Sequence, residues 1–412
     1  MEYTFICKRF AILWLSLLCF ISCQNEKENI DLVRVSEVDT IRVDFHRKDV
    51  LYSEIIQEDV KVLYLKTHES VLFYVTKLVF SEDKIYISDK NNDQIFCFNL
   101  AGDLVFNIHK PGYGPEEYVK IDDFGLNNKA QVIEVLDTRR QRVAQYDINT
   151  GEFRSAVNYP FYTKTFTPLH GGGRLFHNSS IPNSNFGNSD YDNRMAFVTD
   201  SSNNLLKGYF RQSEKGLDKI RLVTQRNIFP SYNSQILNYI PLYTNMAYQP
   251  DTMNGLLRPA YFLDFKEKSL KDGVLKSFNQ PMGTFDAYIA ESGLVYSISN
   301  FLEAKNSIYF DFYLSGLKYK TIYEKSTGKS LTYRSLVRGQ GNFRIDPVSV
   351  YKDYHVTVLS EEQVSSVLSY FENRFSEDQL REISDYQMYK GTARQNVNRN
   401  PILIFSKYRS ID

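Results

Sequence analysis

The chain has 412 residues, with 49 basic and 49 acidic side chains and therefore no net formal charge. This balance excludes the basic excess typical of nucleic-acid-binding surfaces and the acidic runs typical of disordered tails. Hydrophobic residues make up 42% of the chain, and Tyr and Phe occur 30 and 29 times, which is enough for a large core and favours β-structure.

The N-terminal residues carry the features of an export signal. Lys8-Arg9 precede an apolar run that is too short to span a bilayer, and Ser22-Cys23 are followed at once by polar residues. The segment resembles a bacterial lipoprotein signal peptide, in which the cysteine receives the lipid and becomes the mature N-terminus. We therefore predict a signal peptide over 1–22, lipid on Cys23 and a place in the cell envelope, at the outer membrane and facing either the periplasm or the surface. An ordinary secretory signal with a chance cysteine is the alternative.

Cysteine usage agrees with this interpretation. Cys7 and Cys19 would leave with the signal peptide and Cys23 would carry lipid, so that only Cys97 remains in the mature chain. No disulfide framework is then possible within the mature chain. Cys97 lies on an apolar strand pattern and is predicted to be a small buried hydrophobic residue.

After the signal, residues 23–57 are mixed and charged, and we predict a tether that becomes ordered near the alternating run 40–45. The run 59–65 also alternates and is predicted to be a strand. The remainder, 58–412, is assigned to a single β-domain.

Two segments about fifty residues apart repeat one pattern of short alternating strands and polar turns. Positions 84–105 correspond to 131–153, and the matched residues are Asp89 with Asp137, Phe98 with Tyr146, and Gly102 with Gly151. A unit of strands and turns that repeats with this period is typical of a propeller blade.

A motif between these two segments carries a family resemblance. Residues 112–118 read Gly-Tyr-Gly-Pro-Glu-Glu-Tyr and are followed by an Asp-Phe strand at Asp123-Phe124. Together with blades that end in Tyr-Asp and Gly-x-Phe, this pattern resembles the six-bladed β-propeller lipoproteins of Bacteroides-type bacteria, relatives of NHL-repeat propellers. The resemblance is strongest over 58–155 and implies a fold and little chemistry.

Further strand groups continue the rhythm to the C-terminus. A third blade is predicted from about 166 to 210, a fourth from 235 to 265 and a fifth from 294 to 323. The sixth is interrupted by two short helices that begin after the capping signals Ser360 and Ser376. The sequence thus predicts an all-β, six-bladed β-propeller with two short helices in its last blade, closed by pairing of a strand near 58–66 with 402–408.

Candidate catalytic and metal-binding residues are few. His170 and His177 are interpreted as solvated turn residues, and Asp122 and Asp123 as turn and cap residues, since adjacent strand residues face opposite sides. Gly112 and the glycine two positions later lack the context of a nucleotide-binding fingerprint and indicate a structural turn. The sequence predicts no metal, no cofactor and no catalytic residue.

The clearest functional candidates lie where the repeat is broken, at 178–193 and 360–391. The first is long, polar and rich in Asn and Ser, and its ligand-binding candidates are Phe186, Asp190, Tyr191 and Asp192. An irregular surface loop is the alternative interpretation. We predict a lipid-anchored, non-catalytic binding or scaffold protein for a glycan, peptide or protein partner, with a lyase or hydrolase acting at the channel mouth as the alternative.

Overall fold

The computed structural model describes residues 38–45, 55–57, 59–67, 74–178, 183, 194–211, 227–233, 236–251, 254–270, 285–334, 346–373, 375–382, 384–396 and 400–411. All of its strands and helices belong to one compact unit that spans Asp39–Asp412.

The described strands form six sheets, each with four antiparallel strands, and these are the blades of a propeller; one sheet gains a fifth, parallel strand. In five blades the four strands follow chain order from the axis outward, and in the sixth the outermost strand comes from the N-terminal part of the chain. The first two described strands are β1 (Asp39–Arg42), which is added to blade 4, and β2 (Lys61–Tyr64), which is part of blade 6. Blade 1 has β3 (Lys77–Phe80), β4 (Lys84–Asp89), β5 (Gln94–Asn99) and β6 (Leu104–Ile108). Blade 2 has β7 (Asp123–Asn127), β8 (Val132–Asp137), β9 (Arg142–Asp147) and β10 (Phe153–Asn158). Blade 3 has β11 (Thr165–Pro168), β12 (Arg174–His177), β13 (Arg194–Thr199) and β14 (Leu205–Arg211).

The second half of the chain repeats the arrangement. Blade 4 has β15 (Ile228–Pro230), β16 (Leu237–Tyr239), β17 (Met246–Pro250) and β18 (Leu257–Asp264). Blade 5 has β19 (Val295–Glu303), β20 (Ser307–Leu314), β21 (Leu317–Glu324) and β22 (Ser330–Tyr333). Blade 6 has β23 (Pro347–Tyr351), β24 (Tyr354–Leu359), β25 (Ile402–Ser406) and, as its outermost strand, β2. The prediction of six blades is confirmed.

The position of a strand in its blade explains its residues. The two middle strands of blade 1, β4 and β5, are buried on both faces because neighbouring blades pack against them, and their central residues 85–87 and 95–98 are apolar. The outermost strand of blade 2, β10, is exposed along most of its length and is polar. Cys97 on β5 is fully buried, as predicted.

The innermost strands form a ring around the axis. Strands β7, β11, β15, β19, β23 and β3 contact one another in succession, and an ion pair between Lys77 and Asp123 joins β3 to β7. The ring is closed by antiparallel pairing of β2 with β25, in which Lys61 lies opposite Phe405 and Tyr64 opposite Ile402. This confirms the predicted closure, which leaves no open edge between the first and last blades.

The helices differ from the prediction in number. Helix α1 (Phe285–Ser292) precedes β19, and α2 (Glu361–Glu372), α3 (Glu377–Glu382) and α4 (Ser384–Gln395) lie between β24 and β25. Helix α2 begins with the predicted capping box, in which Ser360 and Gln363 bond each other's backbone N–H. The predicted second helix is two helices, and Gly391 lies inside α4 and does not end it. A glycine ends a helix where it adopts positive φ, which Gly391 does not.

Part of the predicted tether is ordered, near the alternating run 40–45 as the sequence indicated. Within 23–57, the described residues 39–42 form β1, which pairs in parallel with β18 as a fifth strand on blade 4. Ile41 and Val43 are buried between blades 4 and 5. The ordered domain therefore begins before residue 58, because the alternating run buries its apolar face against two blades.

The two faces of the propeller differ in the length of their connections. On one face, called the short-turn face below, short turns such as 81–83, 128–131 and 352–353 join the first strand of each blade to the second. In blades 1 to 5 the third and fourth strands are joined on this face too. On the other, here the long-connection face, lie the connections between the second and third strands and those between blades. The longest connections between consecutive strands start and end on this face, and they are 109–122, 178–193, 212–227, 265–294, 334–346 and 360–401. Binding residues of propeller-like scaffolds are expected on such connections.

Candidate ligand-binding loop on the long-connection face

A cavity of about 560 Å³ opens on the connection between blades 1 and 2. Its lining residues are His109, Lys110, Pro111, Gly114, Pro115, Glu116 and Glu117. They belong to the motif that carries the family resemblance, and residues 109–118 are called the Tyr113 loop below. The cavity is large enough for a small ligand or for one unit of a longer one.

Two glycines of the loop make room for one carboxylate. Gly112 has a φ of +154°, and a Cβ atom at this position would overlap the Glu117 side chain. A Cβ atom at Gly114 would lie 2.9 Å from Oε2 of Glu117, the atom that a Cβ at Gly112 would overlap. In return Glu117 accepts the Gly114 N–H at 2.6 Å. Gly112 therefore suits the positive φ of this turn, and both glycines leave room for the Glu117 carboxylate in its present position.

Side chains of blade 2 fix the backbone of the loop from below. Arg140 Nη1 donates to the Gly114 carbonyl at 2.7 Å, and Arg142 Nη1 donates to the Pro115 carbonyl at 3.0 Å. The hydroxyl of Tyr146 donates to the Glu116 carbonyl at 2.8 Å. Within the loop, backbone N–H groups at 112, 117 and 118 bond carbonyls at 118, 114 and 110. The loop is thus held in one conformation before any ligand arrives.

Besides His109 and the two prolines, three side chains of this fixed loop reach solvent. Tyr113 is 79% exposed, more than any other exposed large hydrophobic residue among those described. The side chain of Glu116 is 61% exposed and that of Lys110 is 36% exposed, and they form a loose ion pair at 3.4 Å. An aromatic ring that stays exposed on a rigid loop is available to a ligand.

The charges around the loop balance. Lys110, Arg140 and Arg142 are matched by Glu116, Glu117 and Asp137. Burial lowers the pKa of Arg142 and raises that of Asp137, and the Arg142 charge opposes the second shift. The loop therefore presents polar groups without a field of one sign.

An ion pair joins the innermost strands of blades 1 and 2 near their ends on the same face. Lys77 Nζ lies 2.9 Å from Asp123 Oδ1 and donates to the Phe124 carbonyl at 2.6 Å, while Asp123 also accepts the Phe166 N–H. Burial alone would raise the pKa of Asp123, but the Lys77 ammonium holds it below its usual range. Asp122 accepts from the Thr138 N–H and hydroxyl and has the predicted turn role. Asp123 instead links three blades, since its partners lie on β3 and β11.

A second charged cluster lies between blades 5 and 6. Lys318 Nζ bridges Asp311 at 2.7 Å and Asp346 at 3.4 Å, and Lys320 Nζ lies 2.5 Å from Asp346. Ser299 and Asn300, on a twice-bulged stretch of β19, donate to Asp311. Burial raises the pKa of Asp311, and for Asp346 the two lysines outweigh burial and lower it. Two cations neutralise two anions, which is the balance of a structural network.

The histidine interpretation is only half right. His170 is exposed on a turn, as predicted, but His177 is 1% exposed on β12, where its Nδ1 lies 2.9 Å from the Tyr239 hydroxyl. Burial lowers its pKa to about 3, so that it is neutral. Within the described part of the chain, no group of His, Cys, Asp or Glu side chains is placed to hold a metal ion.

The ligand-binding candidates Phe186, Asp190, Tyr191 and Asp192, and the lipid-attachment residue Cys23, lie outside the described residues. Sequence reasoning did not single out Tyr113. Its signal was present, because an aromatic residue stands between the two glycines of a rigid turn.

Three solved structures align with this chain at low sequence identity. A protein of Bacteroides fragilis described as a "Putative exported protein" aligns with 18% identity and a TM-score of 0.69, covering 90% of this chain and 100% of its own. A DUF4221 family member from Bacteroides vulgatus aligns with 10% identity and a TM-score of 0.48, covering 86% and 97%. A streptogramin B lyase aligns with 11% identity and a TM-score of 0.39, covering 72% and 77%. No curated protein matches the sequence.

Membership of a family follows from the sequence itself. In the described part of the chain no helix has the length and apolar character that a membrane span requires. Residues 24–357 match a family described as 6-bladed beta-propeller. This match covers most of the chain and agrees with the six blades of the structure. The chain belongs to the 6-bladed beta-propeller family DUF5128.

Proposed function

We propose that the chain is a lipid-anchored, non-catalytic binding protein of the cell envelope that holds a glycan, peptide or protein ligand on its long-connection face. The observation that carries this proposal is the Tyr113 loop, a preformed cavity with an exposed aromatic ring on a rigid scaffold. Exposed tyrosines on two further connections of this face, Tyr74 at 58% and Tyr288 at 44%, extend the surface available to a ligand.

A binding role is favoured over a lyase or hydrolase by the charge balance of the described residues. A catalytic acid or base must be able to reach the substrate in order to transfer a proton to or from it. The Lys77–Asp123 pair and the cluster around Lys318 instead neutralise their charges internally, and their carboxylates are almost completely buried. Both arrangements hold blades together.

The proposal is tested by blocking one face at a time. Glu116→Cys and Asn128→Cys each place an exposed thiol on the same pair of blades, the first on the long-connection face and the second on the short-turn face. After coupling to a bulky maleimide, the detergent-solubilised full chain is applied to glycan and peptide arrays. We expect the first variant to lose ligands that the unmodified protein binds and the second to keep them. Equal binding by both would contradict the proposal. Cys97 is buried and does not compete for the reagent.

The anchor is tested separately. Cys23→Ala removes the thiol that would carry lipid, so the protein is expected to move from the membrane fraction to the soluble fraction of cells. The substitution lies outside the described propeller, and the thermal unfolding of the variant should match that of the parent. Unchanged fractionation would exclude lipidation at this residue.

A further inference from the structure

We infer that the ligand of the Tyr113 loop is a neutral saccharide, whose ring stacks on Tyr113 while its hydroxyls bond Glu116 and Lys110. This inference rests on the proposed function and narrows its three ligand classes to one.

The exposed groups match the two surfaces of a sugar ring. One side of a pyranose presents C–H groups that pack on an aromatic face, and Tyr113 is 79% exposed for such contact. Sugar hydroxyls are both donors and acceptors. The Glu116 carboxylate accepts and the Lys110 ammonium donates, and their mutual contact at 3.4 Å is long enough to be exchanged for hydroxyls.

The lining argues against an apolar small molecule. Apart from two prolines and the glycine, the side chains around the cavity are His109, Lys110, Glu116 and Glu117. Pockets for apolar ligands are lined mainly by hydrophobic and aromatic side chains. Here the aromatic residue stands beside the cavity and is open to water, which suits a ligand that stays partly hydrated.

The backbone argues against an extended peptide. Peptides that add to a protein through their main chain need unpaired N–H and C=O groups on the receptor. In this loop the N–H groups at 112, 114, 117 and 118 are bonded internally. The carbonyls at 114, 115, 116 and 117 are taken by Arg140, Arg142 and Tyr146. These groups are not open to pairing with a peptide main chain, which favours recognition through side chains.

The charge balance argues for a neutral sugar. The three cations and three anions of the loop and its support leave no net charge to attract a polyanion. Binding of a neutral saccharide by stacking and hydrogen bonds is also insensitive to salt, whereas binding of a charged one weakens as ionic strength rises.

The test measures dissociation constants of the full chain in detergent for a panel of neutral oligosaccharides, with acidic oligosaccharides and peptides as comparisons. For the neutral ligand that binds, Tyr113→Ala is expected to raise Kd about tenfold or more, because a central tyrosine contributes on the order of 1–2 kcal/mol. Tyr113→Phe keeps the ring and should stay within about threefold of the parent. Tyr232→Ala removes an exposed tyrosine from the short-turn face and should leave Kd for the neutral ligand unchanged.

Two further outcomes separate this inference from the proposed function. Raising the salt from about 0.05 M to about 0.5 M should leave Kd for the neutral ligand unchanged. Binding of only acidic sugars or only peptides, still blocked by the modified Glu116→Cys variant, would overturn the saccharide inference and leave the binding role intact. A neutral sugar that binds equally well to Tyr113→Ala would place its site elsewhere and also overturn the inference. If neither the modified Glu116→Cys variant nor the modified Asn128→Cys variant loses binding, the saccharide inference and the proposed function are both overturned.

Discussion

Replacing Arg174 by methionine is expected to lower the free energy of unfolding by about 3–5 kcal/mol, because it leaves a buried carboxylate without its cation. Arg174 on β12 is 1% exposed and makes a two-pronged pair with the fully buried Glu134 on β8, at 2.7 and 2.8 Å. A third nitrogen donates to the Ser201 carbonyl and to Asn203 at 2.8 Å. This pair joins blades 2 and 3, so that its loss weakens an interface as well as a single contact.

Denaturant unfolding of the full chain measures the effect, and two variants test its cause. Arg154→Met breaks a pair with Asp147 in which the arginine side chain is 51% exposed, and it should cost less than about 1 kcal/mol. The double variant Glu134→Leu/Arg174→Met removes both charges and should recover part of the loss. If Arg174→Met and Arg154→Met cost the same, burial of the pair is not what makes it important.

The protein is expected to lose stability steeply below about pH 6.5, because His177 and His355 are neutral and buried in the folded chain. Burial, assisted by Lys164 for His177 and by Lys325 for His355, lowers each pKa from 6.5 to about 3. The folded pKa lies below the unfolded one, so protons bind the unfolded state first. Stability is full above about pH 6.5 and falls as the pH drops toward 3, by roughly 1.4 kcal/mol per pH unit for each histidine.

Unfolding midpoints measured at a series of pH values check this expectation. His177→Gln removes one of the two groups and should flatten the acid-side slope by about half, whatever it does to stability at neutral pH. His170→Gln changes an exposed histidine and should leave the slope as it is. An acid-side slope that His177→Gln does not alter would contradict the assignment.

The blades could be predicted from the sequence because each is a local unit. The repeat from 84–105 to 131–153 contains its own strands, turns and glycines, so that spacing alone indicates a blade, and the ring closure follows from the need to pair the first and last strands. Strand β1 could not be placed in this way. Its alternating residues predict a strand, but nothing in 39–42 specifies that the partner is the outer edge of blade 4.

The candidate site could be predicted only in part. The glycines at 112 and 114 indicate a rigid turn, and the structure gives the reason in the Glu117 carboxylate. The exposure of Tyr113 depends on Arg140, Arg142 and Tyr146, which donate hydrogen bonds to the backbone of the loop. These residues lie more than 20 positions after the motif, so the motif alone does not show their contribution. The prediction of a solvated His177 is wrong for a similar reason. Its partner Tyr239 lies on the next blade, and the sequence around His177 does not indicate this contact.

Strand β1 has a consequence for solubility that follows from its position. It covers the outer edge of the second half of β18, at 261–264, whose N–H and C=O groups would otherwise face solvent as a template for pairing with another molecule. A chain shortened to residue 58 would keep its ring closed by β2 but present this edge, together with the apolar surface that Ile41 and Val43 now bury. The segment that leads from the predicted anchor to the propeller therefore also protects the protein from aggregation along blade 4.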